Sequence, residues 1–227
     1  MMTLSEASGP SLAGSPLSMM ALLAVLTLAP FALIMLTSFS KMAVVLSLLR
    51  SALGSQQAPP AMVMTGLAVV LSAHVMTPVF QQSFRAAEVI DWSPTQPGGF
   101  LANAAPVFEP LRAFLWKHGS DEERARFVEL AQSLSTPTGP GQAAATDLSV
   151  MIPAFVITEL REAFVMGFLV FLPFLVLDMV IANILLALGM QTLSPSQVSL
   201  PFKILLFVAI DGWGLLSRGL IEGYVAP

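Results

Sequence analysis

The sequence predicts an all-α, membrane-associated protein whose apolar helices pack as hairpins within a larger helical assembly. Three observations lead there. The 227 residues are 56% hydrophobic and 11% charged, where a soluble domain carries about 25% charge. Mean hydropathy is +0.80, a value that excludes an ordinary soluble enzyme and a disordered chain alike. Charges and prolines also fall within or beside the apolar runs, which is unusual for simple spanning helices.

The first run, Leu17 to Leu36, has no charge and one proline, Pro30. Its length suits a bilayer crossing. Glu6 is the only charge ahead of it, so it lacks the basic flank of a signal peptide. The second run, Met42 to Leu53, is short and carries Arg50; the stretch from Gly54 to Pro60 ends it. The third, Ala61 to Phe80, holds His74. Residues 1–80 therefore read as a region of N-terminal apolar helices.

Residues 81–150 form the extended polar region, with five basic and eight acidic residues. Asp91 to Gly99 reads as loop. Val107, Leu111, Phe114 and Leu115 follow helical spacing. Ser120 and Glu123 form a capping box, and Asp121, Glu122 and Glu123 suit the positive end of a helix. Phe127, Leu130, Ala131 and Leu134 continue that helix, and Ser135 to Ala145 reads as a connector. Residues 151–227 form a helical hairpin. Its fourth run, Ala163 to Met190, is broken by Pro173 and carries Asp178 and Asn183. The fifth, Val198 to Ile221, carries Pro201, Lys203, Asp211 and Arg218.

The sequence carries no catalytic signature. The chain has no cysteine, so thiolate nucleophiles, cysteine zinc sites and disulfides are excluded. His74 and His118 are too far apart in sequence to suggest a metal cluster. No phosphate loop, HExxH or nucleophile elbow is present. The net charge of -4 argues against nucleic acid. The expectation is a non-enzyme without cofactor or metal.

A charge at mid-bilayer costs at least about 2.5–3.5 kcal/mol. Arg50, Asp178, Asn183 and Asp211 are therefore expected to face protein as buried polar groups. Glu159 and Lys203 each stand near the start of one of the last two runs. In an antiparallel hairpin those starts lie at opposite ends, so a pair between neighbouring subunits is the reading that evades the constraint. Such a pair would fix subunit register. The stretch from Gly189 to Pro195, with Met190, Gln191 and Thr192, is either a plain turn or, as a ring from several copies, a deformable constriction.

Three blocks carry a resemblance. The first runs from Pro30 to Pro60 and includes Thr37-Ser38-Phe39-Ser40-Lys41. The second is Ile152-Pro153-Ala154-Phe155 followed by Thr158-Glu159-Leu160, with Phe171-Leu172-Pro173-Phe174 and Asp178 beyond. The third is Ser199-Leu200-Pro201-Phe202-Lys203 with Asp211-Gly212-Trp213. In this order they resemble the SctR/FliP/YscR family of type III secretion export apparatus proteins, nearer the injectisome branch than the flagellar one. The resemblance implies a helical ring or cone with a central pore, commonly of five copies, joined by two smaller membrane proteins (SctS-like and SctT-like). It implies a large export gate protein as a further partner and unfolded secreted proteins as cargo. It places the assembly at the bacterial inner membrane, in contact with lipid and largely on the periplasmic side. By position, Glu159 and Lys203 match the family's inter-subunit charge pair. Met190, Gln191 and Thr192 match its methionine-rich constriction loop, with Met190 the one methionine here. The alternative, a small-solute transporter or ion channel, would use Asp178, Asn183 and Asp211 as a polar pathway.

Overall fold

A computed structural model describes residues 16–54, 59–90, 99–134, 144–190 and 192–225. The described residues form eight helices and no strand. Helix α1 is Pro16–Leu36 and α2 is Phe39–Leu53, and the chain turns by 80° between them. Thr37 makes that corner. Its hydroxyl donates to the Leu33 carbonyl (2.6 Å) and accepts from the Phe39 N–H (3.3 Å). Ser38 Oγ shares a buried hydrogen bond of 3.0 Å with Ser72 Oγ, which fastens the corner to the next helix.

The core is centred on α2. Met42, Val45, Leu46 and Leu49 are at most 1% exposed, a spacing that places all four on one helical face. Around α2 pack α3 (Ala61–Val89), α6 (Leu148–Ala187) and α7 (Pro195–Ala209). Gly167 of α6 meets α2 at close range: a Cβ there would lie 2.2 Å from Leu48 Cδ1. A glycine lets the two backbones approach.

Helix α3 continues past the expected end at Phe80, because Gln81 to Val89 includes good helix formers such as Gln, Arg, Ala and Glu. The polar helical pair is present as α4 (Gly99–His118) and α5 (Asp121–Leu134). Half of the expected capping box forms. The Glu123 N–H donates to Ser120 Oγ (3.2 Å). The Ser120 N–H, however, donates to Thr158 Oγ1 (3.0 Å), so α5 is capped onto α6. Glu123 instead pairs with Arg126 (3.2 Å). Of the expected loop and connector, residues 91–98 and 135–143 lie outside the described residues.

Two expectations are corrected. Pro173 does not break the fourth run: α6 is one helix of 40 residues through Pro153 and Pro173. The lost N–H costs one ladder bond, and Phe174, 1% exposed, anchors that turn against Phe207 at 6.3 Å between centroids. The fifth run is not one helix. It divides at Asp211, in left-handed conformation (φ 52°), into α7 and α8 (Gly212–Val225), bent by 62°.

Helices α3 and α6 are long and apolar enough to cross a membrane, and the two bent pairs raise the count to four if each is one span. Large apolar side chains stay exposed on this single chain, among them Leu23, Phe31, Phe164, Phe168, Met179 and Leu205. A surface of this kind needs lipid or protein to cover it.

Candidate functional site: two buried charge clusters and the turn after the long helix

The apolar core contains two lysines, each with a carboxylate. Lys41 lies on α2 and is 1% exposed; Glu159 lies on α6 and is fully buried. The Lys41 ammonium is 3.0 Å from Glu159 Oε1, an ion pair whose angle does not make a hydrogen bond, so Oε1 has no hydrogen-bond donor. Lys41 Nζ donates instead to Glu162 Oε2 at 2.6 Å, one turn further along α6. Tyr224 of α8 completes the cluster. Its hydroxyl donates to Glu159 Oε2, and its ring lies 4.1 Å from the Lys41 ammonium, a cation–π arrangement. Three helices therefore share one buried ion pair. Taking the charges out of water is costly, and the cost is offset because each group keeps several partners.

His118, at the end of α4, meets Tyr224 edge-on at 5.0 Å between centroids. Burial, followed by the Lys117 and Lys41 ammonium groups, lowers its pKa to about 4 against an opposing pull from Glu162. The imidazole is neutral at pH 7, which suits a ring packed among Phe114, Tyr224 and the lysine.

The second cluster closes the end of α2. Helix ends leave carbonyls without helical donors. Here Lys203 of α7, 2% exposed, donates to the Ala52 carbonyl at 2.9 Å. The same ammonium donates to Asp178 Oδ2 of α6 at 2.7 Å, and Ser199 Oγ donates to Asp178 Oδ1. A cation at a helix C-terminus is also favoured by the helix dipole. Gly54 (φ 74°) ends α2 in the left-handed conformation, with its N–H donating to the Ser51 carbonyl.

Glu159 and Lys203 are thus both buried, but a single chain does not bring them together. Each is held by another partner of its own chain. Asp178, expected as a buried polar group, is partly buried here and paired with Lys203. Arg50 lines a small cavity of about 90 Å³ between α2 and α3 with Ser47 and Thr65. Asn183 and Asp211, expected to be buried, are exposed on this chain. Asp211 acts locally, its carboxylate accepting from the Gly214 N–H (3.4 Å) at the start of α8.

The turn after α6 is exposed. Gly189 adopts φ 73°, and Met190, 47% exposed, donates its N–H to the Leu185 carbonyl at 2.9 Å. Thr192 is exposed beyond it, and Gln191 lies outside the described residues. The turn is a glycine-terminated helix end that presents one flexible thioether.

Comparison with known proteins decides the family. Residues 22–220 match the profile of the FliP family. The chain belongs to the FliP family. It is 44% identical over 211 residues to the hypersensitivity response secretion protein HrcR of Ralstonia nicotianae, covering 91% of this chain and 96% of that one. It is 44% identical over 211 residues to the Yop proteins translocation protein R of Yersinia pestis, with 92% and 96% covered. It is 36% identical over 221 residues to the flagellar biosynthetic protein FliP of Bacillus subtilis, with 96% of each covered.

Within this FliP-family chain, sequence reasoning missed Tyr224. The available signal was a lone one: it is the single tyrosine of 227 residues, close to the end of an apolar segment. A buried tyrosine normally finds a polar partner for its hydroxyl. Lys41 and Glu162 join Glu159 only through the packing of α2 against α6.

Proposed function

We propose that the chain is a pore-building subunit of a type III protein export apparatus in the bacterial inner membrane. The observation that carries the reading is the match to the FliP family along nearly the whole chain, with relatives named for secretion, translocation and flagellar biosynthesis. In this reading several copies, five by the family resemblance, surround a conduit together with two smaller membrane proteins and a large export gate protein. Unfolded secreted proteins pass through the centre, and the ring stands largely on the periplasmic side. The exposed apolar faces of α1, α6 and α7 supply the surface that neighbours and lipid cover.

The two charge clusters set register between helices of one subunit. Buried ion pairs are best attested in that role. The turn at Met190, Gln191 and Thr192 is the constriction: apolar side chains from several copies narrow the path and exclude water and ions by dewetting. The family match supports the export reading over the transporter reading, and Asp178, one of the three polar residues the latter would use, is paired with Lys203.

The test uses a photoreactive amino acid at Met190 or Thr192 in a secreting cell with a substrate stalled in passage. A crosslink between substrate and position 190 or 192, with none from Glu129 on α5, is the expected outcome. Crosslinks at Glu129 but not at the turn would remove the constriction from this site.

A further inference from the structure

Helix α8 is attached in an unusual way. At its start the chain turns on Asp211, a non-glycine residue in left-handed conformation (φ 52°), which a β-carbon makes unfavourable. Gly212 follows, and a Cβ there would lie 2.2 Å from the Phe207 ring, so the turn is built around the absence of a side chain. At its other end Tyr224 is buried, its hydroxyl on Glu159 and its ring over Lys41 and beside His118. Between these ends, an open groove of about 350 Å³ separates α8 from α6. Leu215, Leu216 and Gly219 line its α8 side, and Met166, Leu169 and Pro173 line its α6 side. Between Gly212 and Tyr224 only Leu220 of α8 is buried, so the middle of α8 has less packing than its two ends.

From this arrangement we propose that α8 is a hinged strap: it pivots at Asp211–Gly212, lies over a hollow, and is latched shut by Tyr224 on the buried Lys41–Glu159 pair. Unlatching frees the α8 end, whose remaining ring contacts are with Phe114 and His118 of α4. The opened strap exposes the apolar wall of α6 around Met166 and Val170. The inference stands on the geometry of one chain and does not depend on the export reading.

Tyr224→Phe is the selective probe. It keeps the ring against Lys41, Phe114 and His118 and removes the hydroxyl that donates to Glu159. Hydrogen bonds to charged groups are strong enough to shift a local opening equilibrium by at least tenfold. The measurement is amide hydrogen exchange on the full chain, purified in detergent, wild type against Tyr224→Phe at one pH. The strap predicts at least tenfold faster exchange across residues 215–225, with α2 and the Glu159 region of α6 unchanged. Protection retained in α2 also shows that the variant has folded. A rise of less than twofold in α8 overturns the latch. An equal rise in α2, α3 and α8 overturns the strap as a separate unit and makes Tyr224 an ordinary core residue. If Tyr224→Phe does not fold, the same exchange is read on Gly212→Ala, whose Cβ would meet the Phe207 ring at the pivot. The strap then predicts faster exchange in α8 with α2 unchanged, and no change in α8 overturns it.

Discussion

Replacing Lys41 with methionine is expected to be the most damaging single change in the core. Methionine matches the length of the lysine stem but leaves the Glu159 carboxylate, fully buried, without its cation. Breaking a buried pair from one side costs about 3–5 kcal/mol. For a chain of this size that corresponds to a drop of about 10 °C in the unfolding midpoint. The loss comes from the stranded charge rather than from the missing ammonium itself, so it should be recoverable. In Lys41→Met with Glu159→Gln the side chain at 159 is neutral yet still offers a carbonyl to the Tyr224 hydroxyl. The double variant should regain most of the midpoint. Thermal unfolding of the purified membrane complex reads both values. A Lys41→Met midpoint within about 2 °C of wild type, or a double variant lower than the single, would show that the pair is not what joins α2 to α6.

The second large effect is expected at Lys203. Lys203→Glu puts a carboxylate beside Asp178 and against the Ala52 carbonyl, three acceptors with no donor among them. Like charges at such range, buried, cost several kcal/mol, and assembly should fail. The identity of the rescuing change separates two accounts. If Lys203 acts within its own chain, adding Asp178→Lys restores an ion pair of reversed sense and returns part of the assembled complex. If Lys203 acts on the Glu159 of a neighbouring copy, Glu159→Lys is the rescuing change. The geometry predicts rescue by Asp178→Lys. It also predicts that Lys203→Glu with Glu159→Lys is worse than either single change, because the ammonium introduced at position 159 would then face Lys41. Recovery of complex by co-purification decides between them, and rescue by Glu159→Lys would reassign the pair to the subunit interface.

The chain's own sequence disclosed much of this architecture because apolar runs and turn residues are local signals. The helices α1 to α5 follow from hydropathy, the Gly54–Pro60 break and the Ser120 cap. Pro173 misled because a proline announces one lost hydrogen bond, while the anchoring of Phe174 on Phe207 that outweighs it comes from a residue 33 positions away. The same limit applies to the charges. Burial of Glu159 and Lys203 was legible, since charges beside apolar runs must face protein. Their partners were not, because Lys41 and Asp178 reach them through the packing of α2, α6 and α7. Asp211 shows the reverse error: its position in an apolar run suggested burial, and a left-handed turn exposes it instead. Gly167 and Tyr224 matter through single close contacts, which composition and periodicity do not register.

The central claim is that this FliP-family chain is one of several copies in a mixed membrane complex. The test is native mass spectrometry of the chain co-expressed with the two smaller membrane proteins proposed as its partners. The account predicts a mixed complex containing several copies of this chain. A stable monomer or homodimer that ignores those proteins would contradict it.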